Sequence, residues 1–141
     1  MNYQDYHSHP VNKFIHVICI PLIVLSSYIL LSYIKVTLSR FTLELPQILI
    51  LLLLCNYLFQ SILLFFVMFL YFLLIFILSF FWRQRKNVII ESICVFIGSW
   101  IFQFFGHYIE GNRPALMDSL LQTFIEAPVF SLSYILPFKI H

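Results

Sequence analysis

The sequence predicts an all-α, multipass transmembrane helical bundle with four to five membrane segments, and three observations carry that expectation. Charged residues make up 10% of the chain and hydrophobic residues 62%, against about 25% and roughly half in soluble domains. From Leu45 to Trp82 no formal charge occurs, although about 20 apolar residues already suffice to cross the hydrocarbon core of a bilayer. Near the two ends, polar residues gather in two islands, Tyr6–His16 and Gln103–Leu116. A soluble domain of 141 residues has too small an interior for so much apolar surface.

The elements follow in order along one integral membrane domain, 1–141. Met1-Asn2-Tyr3-Gln4-Asp5 lacks a basic n-region and no A-x-A-like site ends the first apolar run, so the first span is expected to be retained. That span covers 14–34, with Pro10 placed to open its helix and Pro21 inside it as a kink. Residues 35–44 form a polar connection. As a single helix 45–82 would be about 57 Å long at 1.5 Å per residue, roughly twice the hydrocarbon thickness, so it must turn back on itself. Asn56 to Ser61 is the softest point, giving spans over 45–58 and 61–82. A fourth span, 88–105, carries Glu91 near its basic end, within reach of Arg85 or Lys86. Glu126-Ala127-Pro128 interrupts the last segment, 119–138, which is expected to be broken, re-entrant or interfacial.

The net charge of +2 is too small and too scattered for nucleic acid, and the run Arg83-Gln84-Arg85-Lys86 marks topology beside a span. Cys19, Cys55 and Cys94 stand singly in apolar runs, which is no pattern for a disulfide framework or a sulfur-ligated metal. Four spans between the islands, an even number, bring both islands to one face of the membrane. Lys35, Arg40, Arg83, Arg85 and Lys86 lie on the other face, which the positive-inside tendency makes cytoplasmic. Lys13 and Arg113, on the islands' own face, argue the other way. The host membrane is a bacterial inner membrane or an ER membrane, and the oligomeric state is not legible.

The islands hold four of the five histidines. Neutral imidazole is the commonest protein metal ligand, and polar groups within a bilayer are functional candidates by default. In the second island a continuing helix stacks Trp100, Gln103 and His107 at i, i+3 and i+7, with Glu110 three residues further on the same face. His-x-x-Glu at this spacing presents an imidazole and a carboxylate to one ion, or lets the carboxylate orient the ring. Gly106 permits a close approach there, and Gly111-Asn112-Arg113-Pro114 reads as a helix stop and a turn. In the first island Asn12 lies one turn ahead of His16, His9 and His16 are seven apart, and His7 precedes the helix.

Oxygen and nitrogen donors without thiolate suit non-haem iron, and zinc fits the same ligand types. Asn12 and Gln103, on the same helix faces as the histidines, are candidates for contacting a substrate. Three other readings use the same residues. A bis-histidine haem protein would take its axial ligands from His16 and His107. A metal or proton transporter would line a path with His107, Glu110 and Glu91. In a non-catalytic scaffold, His7 and His9 would be interfacial and His16 would only hydrogen-bond within the bundle.

Tyr6-His7 followed by Pro10-Val11-Asn12-Lys13 and His16, then Ile20-Pro21-Leu22, and later Trp100 to His107 with Glu110 and Arg113-Pro114-Ala115-Leu116, resembles the multipass family of 2-hydroxy fatty acid dioxygenases. The pairing of Y-H-x-x-P-x-N-K-x-x-H with Q-x-x-G-H-x-x-E-x-x-R-P-A-L carries the resemblance over most of the chain. It implies Fe(II)-dependent α-oxidation, in which a long-chain 2-hydroxy fatty acid drawn from the lipid bilayer reacts with O2 and loses its carboxyl carbon. It further implies His7, His16, His107 and Glu110 as metal ligands, with His9 outside the pattern the family fixes. Arg113, whose planar fork matches a carboxylate, becomes the candidate clamp, so that Glu110 and Arg113 are the residues expected at the chemistry.

Overall fold

This computed structural model describes residues 10–111, 120–133 and 135, with the side chains at 110 and 120–124 outside that description. Among the described residues the fold is all-α apart from one small hairpin, and it divides into two units, Met1–Val24 with Val95–Lys139 and Leu25–Cys94 with Ile140–His141.

The element order is α1 (Pro10–Leu31), β1 (Lys35–Leu38), β2 (Phe41–Glu44), α2 (Leu45–Gln60), α3 (Ile62–Trp82), α4 (Val88–Glu110) and α5 (Leu120–Ser133). Three stretches are long and apolar enough to cross a membrane, Pro10–Leu31, Ile62–Trp82 and Val88–Ile109. α1 is described from Pro10 onwards, so the expectation that Pro10 opens it concerns a boundary outside the described residues. Pro21 lies inside α1, which continues to Leu31. The stretch expected as span 45–58 is a 16-residue helix, about 24 Å long and so shorter than the roughly 30 Å hydrocarbon core.

In the unit Leu25–Cys94 the expected polar connection is an ordered antiparallel hairpin. Its register pairs Lys35 with Glu44, Val36 with Leu43, Thr37 with Thr42 and Leu38 with Phe41. Ser39 takes the positive φ, 58°, that a two-residue hairpin turn requires. At the start of α2 the Glu44 amide donates to Gln47 Oε1 at 3.1 Å, satisfying one of the helix's first donors. The turn between α2 and α3 falls where the sequence places it. Ser61 alone separates the helices, in extended conformation, and its hydroxyl accepts from the Leu64 amide. An Arg83 Nη1 to Glu44 Oε1 ion pair of 3.0 Å ties the end of α3 to the start of α2, so the two helices run antiparallel.

Along α3 the buried residues are Leu64, Met68, Tyr71, Phe72, Ile75 and Ser79, a stripe at helical spacing. The outer face carries Phe66, Leu70, Leu74, Ile77 and Phe81, all exposed. A helix apolar on its outside as well as its inside belongs in lipid. At the basic end of the unit Glu91 is held twice, by Trp82 Nε1 at 2.8 Å and by Arg85 Nε at 2.9 Å. The Arg85 pairing agrees with the sequence expectation, whereas the Trp82 bond and the Glu44–Arg83 pair were not foreseen.

In the unit Met1–Val24 with Val95–Lys139, α4 extends to Glu110, five residues past the expected span, and Gly111 follows with φ 83° as its stop. The interruption expected at Glu126-Ala127-Pro128 is not observed, because α5 runs through it from Leu120 to Ser133. Proline's fixed φ is itself helical. In the following turn the Ser131 hydroxyl donates to the Pro128 carbonyl at 3.0 Å.

Candidate metal centre

The site grows from two stripes within the unit Met1–Val24 with Val95–Lys139. On α1 the buried positions are Asn12, His16, Cys19 and Ile20; on α4 they are Ser99, Gln103, Gly106 and His107. Both follow the i, i+4, i+7/i+8 spacing of one helical face. Each stripe therefore carries an amide one turn before its histidine, Asn12 before His16 and Gln103 before His107.

Gly106 sets how closely the helices approach. A Cβ there would stand 2.5 Å from Asn12 Oδ1 and 3.2 Å from Ile15 Cδ1, so any larger residue must displace the Asn12 amide. This is the close approach that the sequence reading assigns to Gly106. With the side chain absent, the His16 and His107 rings meet with centroids 5.0 Å apart and planes at 83°. Both rings are buried, at 2% and 4% exposure.

Hydrogen bonding fixes what these rings offer. His16 Nδ1 lies 2.8 Å from the Asn12 carbonyl oxygen, which can only accept, so Nδ1 carries the proton and the ring's lone pair is on Nε2. A ligating histidine is typically oriented in this way, by donating its other N–H to a carbonyl. His107 Nδ1 lies 3.5 Å from the Asn12 side-chain amide. With the amide nitrogen facing the ring, the His107 proton sits on Nε2; with the amide turned, Oδ1 accepts from Nδ1–H and Nε2 is released for a ligand. The second arrangement suits a metal, and Asn12 selects between the two.

The ring spacing separates two kinds of metal site. For a metal–nitrogen bond of about 2.1 Å, each ring centre stands roughly 3.2 Å from the ion. Two imidazoles at cis positions then have centroids about 4.5–5.3 Å apart, and two on opposite faces of a haem about 6.4 Å. The observed 5.0 Å fits the cis pair and leaves no room for a porphyrin between the rings. Glu91, on which a transport path would draw, is engaged by Trp82 and Arg85.

Of the expected ligands, the structure brings His16 and His107 together. His7, His9 and Arg113 lie outside the described residues. Glu110 closes α4, three residues past His107 on the same face, and its side chain is outside the description. Among the described residues no third His, Cys, Asp or Glu joins the pair. Of the expected substrate contacts, Asn12 is fully buried and its amide faces His107. Gln103 is 6% exposed, and its Nε2 has no hydrogen-bond partner among the described residues. An unmet buried donor costs about 1–3 kcal/mol, so this amide is suited to receive a ligand oxygen. The sequence singled out both amides; what it missed is that Asn12 bridges the histidines, although the Asn12–His16 spacing of one turn was its signal.

A family model described as 2-hydroxy-palmitic acid dioxygenase Mpo1-like matches residues 1–138 of the chain. The 2-hydroxy-palmitic acid dioxygenase MPO1 of Saccharomyces cerevisiae is 32% identical over 129 residues, which is 91% of this chain and 72% of the yeast protein. No solved structure matches.

Proposed function

The chain belongs to the Mpo1-like family, and from that premise we propose that it is a membrane dioxygenase converting a long-chain 2-hydroxy fatty acid and O2 into the fatty acid one carbon shorter. The observation that carries this reading is the pair of buried imidazoles 5.0 Å apart, His16 with its Nδ1–H held by the Asn12 carbonyl, in a helix pair with apolar walls. Their donor set and spacing suit Fe(II), with His7 and Glu110 completing the ligands and His9 a further candidate. Bound there, Fe(II) supplies the activation of O2.

The chain's own groups do the rest. Asn12 holds the ring orientation of both histidines. Gln103 Nε2 donates to the 2-hydroxyl or carboxylate of the acid, and Arg113 pairs with that carboxylate. The apolar faces of α1 and α4 keep water from the reacting end. The lipid bilayer is both host and substrate reservoir.

Reconstituted protein with Fe(II), O2 and a long-chain 2-hydroxy acid should yield the acid one carbon shorter. The non-hydroxylated acid should react poorly and anaerobic samples should be inert. Arg113→Ala should weaken substrate capture while metal stays bound. Metal-loaded, folded protein that turns over no 2-hydroxy acid of any chain length would overturn the assignment.

A further inference from the structure

Within the same unit, a groove lies between α1 and α4, lined at one end by Phe14 and Ile15, which precede His16 in the chain. Its walls are Phe14, Ile18 and Leu22 on one helix and Val95, Gly98 and Phe102 on the other, and its volume is about 450 Å³. No charged residue lines it. Ligand cavities commonly span about 300–1,000 Å³. From Phe14 to Leu22 it covers about 12 Å of helix at 1.5 Å per residue. Phe14, Ile18 and Phe102 are exposed along its rim, so the groove opens sideways towards whatever surrounds the helices.

Gly98 decides its depth. A Cβ added there would meet nothing within 4 Å, in contrast to Gly106 on the same helix, where it would strike Asn12. The glycine that packs the helices and the glycine that leaves space between them are eight residues apart on α4.

We propose that this groove is the acyl-chain subsite and that Gly98 sets the chain length accepted. The inference rests on the proposed function and extends it to the tail of the substrate. The occupant follows from continuity and direction. The Phe14–Phe102 end of the groove lies towards the part of the helix pair that carries His16 and His107, and its Leu22–Val95 end points along α1 and α4 into the span. A fatty acid in a bilayer lies the same way, head at the interface and tail inward. Because lipid tails are as apolar as the groove, burial supplies little net attraction. The groove instead aligns the chain so that the hydroxylated carbon sits at the histidines.

Two measurements test this. Against a panel of 2-hydroxy acids of increasing length, Gly98→Phe should lower kcat/KM for the longest acids by about tenfold or more, the scale of shape discrimination in an apolar pocket, while the shortest stay within about twofold. Gly98→Ala should leave the profile unchanged. Leu22→Trp, from the facing wall, should reproduce the shift and serves if Gly98→Phe does not fold. Independently of turnover, a long-chain 2-hydroxy acid with a mid-chain diazirine should label α1 and α4 around Ile18 and Gly98, and Gly98→Phe should abolish that labelling.

An unchanged chain-length profile in folded, metal-loaded Gly98→Phe and Leu22→Trp would overturn the subsite. So would labelling confined to α2 and α3, or labelling that a matched phospholipid probe gives equally in the presence of excess 2-hydroxy acid, which would mean the groove holds bulk lipid. If the wild type labels on α1 and α4 but turns over no 2-hydroxy acid, the proposed reaction fails and the groove remains a lipid-chain site.

Discussion

In the unit Leu25–Cys94 the strong polar groups close on one another: Arg83 on Glu44, Arg85 and Trp82 on Glu91. In the unit Met1–Val24 with Val95–Lys139, two imidazoles meet at 5.0 Å across an asparagine, one turn from a buried glutamine amide. Both arrangements place polar groups in an apolar chain, where each unmet group is costly. In the first the charged side chains pair with one another, while the Tyr28 and Tyr71 hydroxyls and Glu44 Oε2 have no hydrogen-bond partner among the described residues. In the second two imidazoles meet beside a carboxamide, and Gln103 Nε2 has no hydrogen-bond partner among the described residues. Unpartnered polar atoms occur in both units and do not mark function by themselves; what sets the second apart is the meeting of two imidazoles.

Removing an imidazole should break this contrast most sharply. His16→Ala and His107→Ala should each bring bound iron and turnover close to background, whereas Glu91→Gln should leave iron content unchanged. Elemental analysis of purified protein decides it, and full metal content in both histidine variants would remove the centre.

The two glycines of α4 offer the next test. Gly106→Ala forces a carbon against the Asn12 amide and should cost about 1–3 kcal/mol by overpacking, with metal affinity falling about 10–100-fold because the ligand-orienting amide moves. Gly98→Ala should change neither thermal midpoint nor affinity. Equal behaviour of the two variants would show that the helix approach is not set at Gly106.

A smaller effect is expected in the other unit. Arg83→Met breaks a partly buried ion pair and should lower stability by about 1–2 kcal/mol, between the exposed and buried extremes, without loss of metal. Thermal unfolding in detergent, read beside metal content, checks both halves. Smallest of all, Ser39→Gly should raise stability by at most about 1 kcal/mol, since only glycine takes a positive φ at no steric cost. A decrease would mean that the Ser39 side chain itself supports the turn.

Composition and the uncharged run Leu45–Trp82 were enough to determine an all-α membrane fold, because the bilayer admits few solutions for a backbone that must satisfy itself. The break at Ser61, the Glu91–Arg85 pair and the close approach at Gly106 were also legible, each resting on local chemistry within a turn or two of its residue. The hairpin at Lys35–Glu44 was not, since Ser39-Arg40 lacks the glycine or asparagine that announces such a turn. Nor was it settled that the helix runs on through Pro128, where the ring's fixed φ fits a helix although it brings no amide proton to the preceding turn.

The two motifs named His16 and His107 as candidates, and the helical period placed an amide beside each. Only the tertiary structure decided that the rings lie 5.0 Å apart, that the Asn12 carbonyl fixes the tautomer of His16, and that one glycine of α4 closes the helix pair while another leaves a groove. These depend on distances between residues some 90 positions apart, and such distances are set by how two helices pack rather than by the sequence of either.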